Sequence, residues 1–217
     1  FEESARHLLE PGDMLYLPPR LAHYGIAQND CITLSVGFRA PSHRQAIEGM
    51  MEHLLEQTPE HLFVADATRE RSAHPAEIDR ATLQKVRETL IHYLNDEHQI
   101  AHWFGRFATE PKNPSILIPD ESLADTRQLL QAIQNTELLC NEGSRIAYTL
   151  EKERLCLFID GEDMALREYD LDWVQLLCDE QAIALTAIHS LETRDDLQCY
   201  LLNCIQQGSL LLEEIEH

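Results

Sequence analysis

Long apolar runs are missing from this 217-residue chain, and no stretch of 18 or more apolar residues offers a membrane span. Basic residues are scarce: 17 Lys and Arg stand against 38 Asp and Glu, a formal net charge of −21. A polyanion repels phosphate backbones and gains nothing from counterion release, so DNA is disfavoured as a partner and a basic protein favoured. The six cysteines form no Cys-x-x-Cys pair and sit mostly inside apolar runs. They read as buried, reduced thiols of a cytoplasmic protein. The opening residues lack the basic, apolar and small-residue regions of a signal peptide, so none is expected. Gly-x-Gly-x-x-Gly, P-loop and Gly-x-Ser-x-Gly patterns are all absent, which removes the usual signals for dinucleotides, phosphates and nucleophilic serine. None of the 11 histidines is followed two positions later by Asp or Glu.

What is present falls into three segments. Residues 1–41 read as strands. A run at 13–17 lies between the turn Pro11-Gly12 and the stop Pro18-Pro19; another at 32–38 alternates Ile32, Leu34, Val36 and Phe38 with Thr33, Ser35 and Gly37. That period of two puts large apolar side chains on one face and small polar ones on the other, suited to lining a cavity.

Residues 42–110 read as helices. Their apolar stripes are Ile47/Met50/Met51/Leu54/Leu55 and Leu83/Val86/Leu90/Ile91/Leu94, with a shorter third helix around 101–107 and a loop over 58–75. Three amphipathic helices in so short a segment make a thin core, which predicts a homodimer through this region.

Residues 111–217 read as a winged-helix-like module. The spacing predicts a helix over 123–135 capped by Ser122, strands at 137–140, 145–150 and 155–159, and a turn at Asp160-Gly161. Helices at 171–178 and 195–207 and a strand at 209–212 complete it. The stretch 112–217 holds 21 acidic and 7 basic residues, net −14. A groove-reading helix needs basic flanks, so a DNA-binding regulator is the weaker reading of this module.

Chemistry concentrates in Gly12-Asp-Met-Leu-Tyr-Leu-Pro18-Pro-Arg-Leu-Ala-His23. The spacing is glycine, five residues, proline, four residues, histidine, as in the second cupin motif. Glycine makes the entry turn, five residues cross a barrel, and proline ends the strand because it cannot donate to a ladder. Four more residues reverse the chain, and an inward imidazole there can hold a metal together with two other side chains. An isolated histidine at a strand start is ordinarily a hydrogen-bonded core or surface residue; the spacing argues for more. Cupins usually carry glycine where Arg20 stands, and asparagine where Ala27 stands.

This motif, with Leu34-Ser-Val-Gly-Phe-Arg-Ala-Pro41, closely resembles the bacterial ribosomal oxygenases of the Jumonji-C group; His74-Pro-Ala, Trp103-Phe-Gly and Ile183-Ala-Leu-Thr are less specific landmarks. The resemblance implies an α+β chain: the last strands of a double-stranded β-helix barrel, a helical dimerisation region, then a winged-helix-like domain. It implies Fe(II) as metal, 2-oxoglutarate as co-substrate, and hydroxylation of a side chain, arginine, on a large-subunit ribosomal protein. His23 matches the family's distal metal histidine. Thr33 and Ser35 fall where relatives place polar groups near the 2-oxoglutarate pocket, with threonine at 33 in place of an expected asparagine.

A facial triad needs two histidines and one carboxylate, and this sequence supplies one ligand of the three. The expectation is therefore a chain cut inside its catalytic barrel and inactive alone. The competing reading is a non-catalytic dimerisation scaffold or protein-binding module.

Overall fold

The computed structural model describes residues 5–37, 40–64, 74, 76–120 and 122–215. They divide into two units, Phe1–Ala40 and Pro41–His217.

In the first unit no described residue is in a strand. The expected strands at 13–17 and 32–38 therefore form no ladder here, and Phe38 lies outside the described residues. Alternation fixes the two faces of a strand, but a ladder also needs a neighbour to accept its N–H groups. Ile32, Leu34 and Val36 are 92%, 87% and 79% exposed, so the apolar face has nothing to pack on within the unit. Two tight turns do form. Asp13 N donates to Glu10 O at 3.0 Å across Pro11-Gly12, and Gly12 takes φ +96°, the left-handed conformation that favours glycine.

The second unit begins with three helices: α1 (His43–Gln57), α2 (Arg80–Leu94) and α3 (Glu97–Thr109). Each starts on a side chain that satisfies an orphan backbone N–H: Ser42 in a capping box with Gln45, then Asp79, then Asp96. The third helix is longer than its apolar run suggested. Between α1 and α2, residues 58–64 hold neither helix nor strand, and 65–73 and Pro75 lie outside the described residues. No residue of α2 is buried.

Six strands and three helices follow. α4 (Thr126–Ala132) is capped by Asp125, not Ser122, and runs into a 3-10 turn over Ile133–Asn135. The Asp125 carboxylate accepts from Gln128 N at 3.0 Å, the bond that fixes the helix start three residues later than expected. β1 (Thr136–Cys140) lies between β5 (Ala182–Ala184) and β6 (Leu210–Glu214) in one antiparallel sheet. β2 (Ile146–Glu151), β3 (Arg154–Ile159) and β4 (Glu162–Leu166) form the other as a meander. α5 (Leu171–Glu180) and α6 (Asp195–Gln206) complete the chain. Leu129, Leu138, Leu157, Val174, Leu177 and Leu201 are wholly buried, so helices and both sheets share one core.

Two attachments bind α3 to the β2–β3–β4 sheet. Gly105 leaves a notch for the ring of Phe158: a Cβ there would lie 2.3 Å from the ring. At the end of α3, Arg106 Nε donates to Gly161 O at 2.9 Å, and Gly161 N donates to Thr109 Oγ1 at 3.1 Å. Deeper in the unit, Asp170 is buried but fully partnered: its carboxylate accepts from Trp173 Nε1, Ser190 Oγ and Arg194 Nη1. Removing one member of such a network leaves the others unpaired, which is how buried polar groups come to specify a core.

Candidate functional site

The candidate site is built on the second tight turn of the first unit. Pro18-Pro19-Arg20-Leu21 reverses the chain, with Leu21 N donating to Pro18 O at 3.3 Å. Arg20 takes φ +67°, so the position where cupins usually carry glycine has the left-handed backbone that glycine favours, occupied here by arginine. The departure in sequence thus changes the side chain and not the turn.

His23 follows two residues after the turn. Its Nδ1 lies 3.2 Å from Leu21 O, within hydrogen-bond distance. With Nδ1–H donating to that carbonyl, Nε2 carries the lone pair, the tautomer a metal-ligating histidine requires. The ring is exposed, as are Thr33 and Ser35. No hydrogen bond or ion pair joins these three among the described residues.

The ligand set does not close here. Among the described residues no group of three or more His, Cys, Asp or Glu is placed to hold a metal ion. The sequence holds no His-x-Asp and no His-x-Glu.

Four of the six cysteines offer no alternative chemistry. All six are free; Cys31 and Cys199 are exposed, against the expectation of buried thiols, because they lie in the open first unit and on the outer face of α6. Burial pushes Cys140 up to about 11 and Cys156, Cys178 and Cys204 up to about 12, so these four stay protonated and unreactive. A groove of about 560 Å³ lies elsewhere, between α3 and β2, lined by Ile100, Phe104, Ala147 and Tyr148, with Glu97 and Glu151 among its walls.

Residues 92–210 match the family model described as ROXA-like winged helix. The chain belongs to the ROXA-like winged-helix family. Residues 1–46 match the model of the JmjC domain. The chain is homologous to the ribosomal protein uL16 3-hydroxylase of Escherichia coli strain K12: 31% identity over 143 residues, covering 66% of this chain and 38% of that protein. A 53-residue stretch is 43% identical to a probable ribosomal oxygenase of Haemophilus influenzae, covering 24% of this chain and 13% of that one. The chain therefore spans less than two fifths of the length of either relative. Among solved structures, the Escherichia coli ribosomal oxygenase YcfD with cobalt and succinic acid superposes with a TM-score of 0.67 at 22% identity, over 82% of this chain and 48% of that one. The same enzyme with cobalt and 2-oxoglutarate gives 0.68 over the same shares. At that identity the likeness establishes the fold, mixed helix and sheet in the order this family presents.

Sequence reasoning recovered the turn and the family, and singled out His23. It missed a row of histidines, His53, His98 and His102, because two helices 40 residues apart must fold together before the row exists. The four-residue spacing of His98 and His102 was the one available signal, placing both on one face of α3.

Proposed function

We propose that this sequence belongs to an Fe(II)- and 2-oxoglutarate-dependent oxygenase of the cytoplasm that hydroxylates a side chain, arginine, of a large-subunit ribosomal protein. The observation that carries the reading is the turn at Pro18–Leu21 delivering His23 inside a segment matched by the JmjC model, with the winged helix behind it. His23 is the distal metal ligand, and Thr33 and Ser35 face the co-substrate. The other two ligands lie outside these 217 residues. A net charge of −21 suits a basic ribosomal partner by long-range attraction, and leaves the winged helix without a basic face for DNA. The division of labour is 1–41 for the barrel end, 42–110 for dimerisation and 111–217 for the winged-helix-like domain.

The test has two arms. Calorimetric titration of iron(II) into the 217-residue chain should show no specific site, and the chain should leave 2-oxoglutarate intact. A protein in which this sequence is preceded by a barrel strand carrying His-x-Asp should bind one iron and couple 2-oxoglutarate turnover to hydroxylation of a basic ribosomal peptide. Turnover by the isolated chain, or none by the longer protein with its ligands intact, overturns the reading. The incomplete ligand set also supports a second reading, in which this chain by itself is a dimerisation scaffold.

Dimerisation is proposed through 42–110. On α2, Leu83, Val86, Leu90, Ile91 and Leu94 are all exposed, as are Ile47 and Leu55 on α1. The groove between α3 and β2 offers a further apolar face, and α2 brings Arg80, Lys85 and Arg87 toward a chain that is otherwise acidic. A two-fold contact covering these faces would bury upwards of ~2,000 Å². Light scattering at micromolar concentration should return twice the 24.9 kDa chain mass, and a monomer mass would refute the dimer.

A further inference from the structure

Of the three helices that open the second unit, α2 alone buries no residue: α1 buries Met50 and His53, and α3 buries Gly105 and Thr109. At about 100° per residue, Leu83, Val86, Leu90 and Leu94 fall on one stripe of α2, and all four are exposed. Arg87 borders that stripe on the side of Ile91 and is exposed as well. Charge thus stands at the middle of the helix, and beyond it the stripe continues as Leu90, Ile91 and Leu94.

The groove between α3 and β2 is divided in the same way along its length. Its α3 wall presents Glu97, Ile100 and Phe104, spaced three and then four residues apart on one helix face. Glu151, the last residue of β2, stands at the same end as Glu97, because its carboxylate lies 3.9 Å from Nδ1 of His98. The mouth of the groove at the start of α3 is therefore acidic. Past that mouth the walls are apolar except for the phenol of Tyr148, and Ile100 and Phe104 are 40% and 46% exposed. Arg87, Leu90 and Leu94 repeat the three-and-four spacing of Glu97, Ile100 and Phe104, with a cation where α3 has an anion.

Chain connectivity keeps α2 of the same chain from using this match. α2 ends at Leu94 and α3 begins at Glu97, so a helix folded back into its own groove runs antiparallel to α3. Leu94 would then lie at the acidic mouth and Arg87 over the apolar walls. A helix parallel to α3 places Arg87 at Glu97 and Glu151, Leu90 over Ile100 and Leu94 over Phe104. A basic segment of another protein would also suit the mouth, but it would leave the stripe of α2 in water. A second copy covers both surfaces at once.

We propose that α2 of a second copy seats in the groove between α3 and β2, parallel to α3, with Arg87 against Glu97 and Glu151. This seat rests on the dimer proposed above. It extends that interface beyond residues 42–110 into β2 of the winged-helix-like domain. Two-fold symmetry makes the contact twice, each copy giving one helix and one groove. The apolar stripe supplies the buried area, and the ion pairs at the mouth set the direction of the helix.

Sedimentation equilibrium on the 217-residue chain, with two charge reversals, tests the seat. Arg87→Glu and Glu151→Arg should each raise the dissociation constant of the dimer by about tenfold or more, since each sets like charges together at both copies of the contact. The double variant Arg87→Glu/Glu151→Arg reverses the pair and should recover the parent value to within a few-fold. Such a recovery also excludes misfolding as the cause of the two single losses. A parent dimer indifferent to Glu151→Arg overturns the seat and leaves a dimer through residues 42–110 standing. A parent that is monomeric at micromolar concentration overturns both. Two single losses that the double variant does not recover overturn the seat. Should Glu151→Arg spare the dimer but abolish binding of an arginine-rich amphipathic peptide, the groove takes a basic partner, and the proposal fails.

Discussion

Replacing Gly208 with alanine should lower the melting temperature of the second unit by about 5–15 °C. Gly208 follows the C-cap of α6 at φ +78°, with its N–H on Ile205 O and the next N–H, of Ser209, on Cys204 O, both at 2.9 Å. These two bonds are the Schellman closure of a helix, which an L-residue other than glycine enters at a cost of roughly 1–2 kcal/mol. Space adds a second penalty. A Cβ at 208 would lie 2.1 Å from Ile118 O and 2.7 Å from its carbonyl carbon. Those are backbone atoms, so no rotamer change relieves the contact. The same stretch is pinned by Asp120 N on Gln206 O at 3.1 Å and Asn141 Nδ2 on Gly208 O at 2.9 Å. Overpacking of this kind costs about 1–3 kcal/mol, giving roughly 2–5 kcal/mol in all. Gly105→Ala makes a useful contrast. Its Cβ also meets neighbouring atoms too closely, but they belong to the Phe158 side chain, and alanine recovers about 1 kcal/mol of helix propensity. Thermal unfolding followed by circular dichroism should therefore rank Gly208→Ala as the more damaging change, and an unchanged midpoint would show that the 118–120 segment yields freely.

The same contrast between local and distant causes explains how much of the fold was legible. Helices α1, α2 and α3 and strands β1, β2, β3 and β6 lie within a few residues of where periodicity puts them, because each carries its own apolar stripe or alternation. β4 went unread although its turn, Asp160-Gly161, was recognised. It opens on Glu162-Asp163, whose charge hides a strand that pairing with β3 enforces, from Ile159 opposite Glu162 to Leu155 opposite Leu166. β5 is only Ala182–Ala184 and exists because Glu137, Leu138 and Leu139 of β1 pair with it. The strands expected in 1–41 show the reverse failure. Their alternation is plain in the sequence, yet strand formation is decided by a partner that the described residues do not include. His23 was singled out for a local reason, the glycine–proline–histidine spacing, and the turn at Arg20 that this spacing demands is present. The contact of His53 with Gln99 was not legible, since the two are 46 positions apart and meet only after α1 docks.

His23→Ala, made in a protein that carries this sequence with a complete ligand set, should reduce 2-oxoglutarate turnover by more than about 100-fold. Partners one step removed from a metal already cost 10–100-fold when deleted, and a direct ligand in a three-residue set should cost more. The fold should hardly notice. The ring is exposed and makes one recorded hydrogen bond, from Nδ1 to a carbonyl two residues back, so the stability change should stay within about 0.5 kcal/mol. That separation of effects is what distinguishes a ligand from a structural histidine, whose loss would lower stability and activity together. Thr33→Val and Ser35→Ala supply the graded comparison. Both remove a hydroxyl from the small polar face of the 32–38 run, and both should raise the KM for 2-oxoglutarate while iron binding, followed by calorimetry, stays intact. His23→Ala should abolish the calorimetric signal itself. If His23→Ala turns over 2-oxoglutarate at the parent rate, the distal-ligand assignment fails. Should turnover fall while iron affinity is unchanged, the imidazole serves the substrate and not the metal.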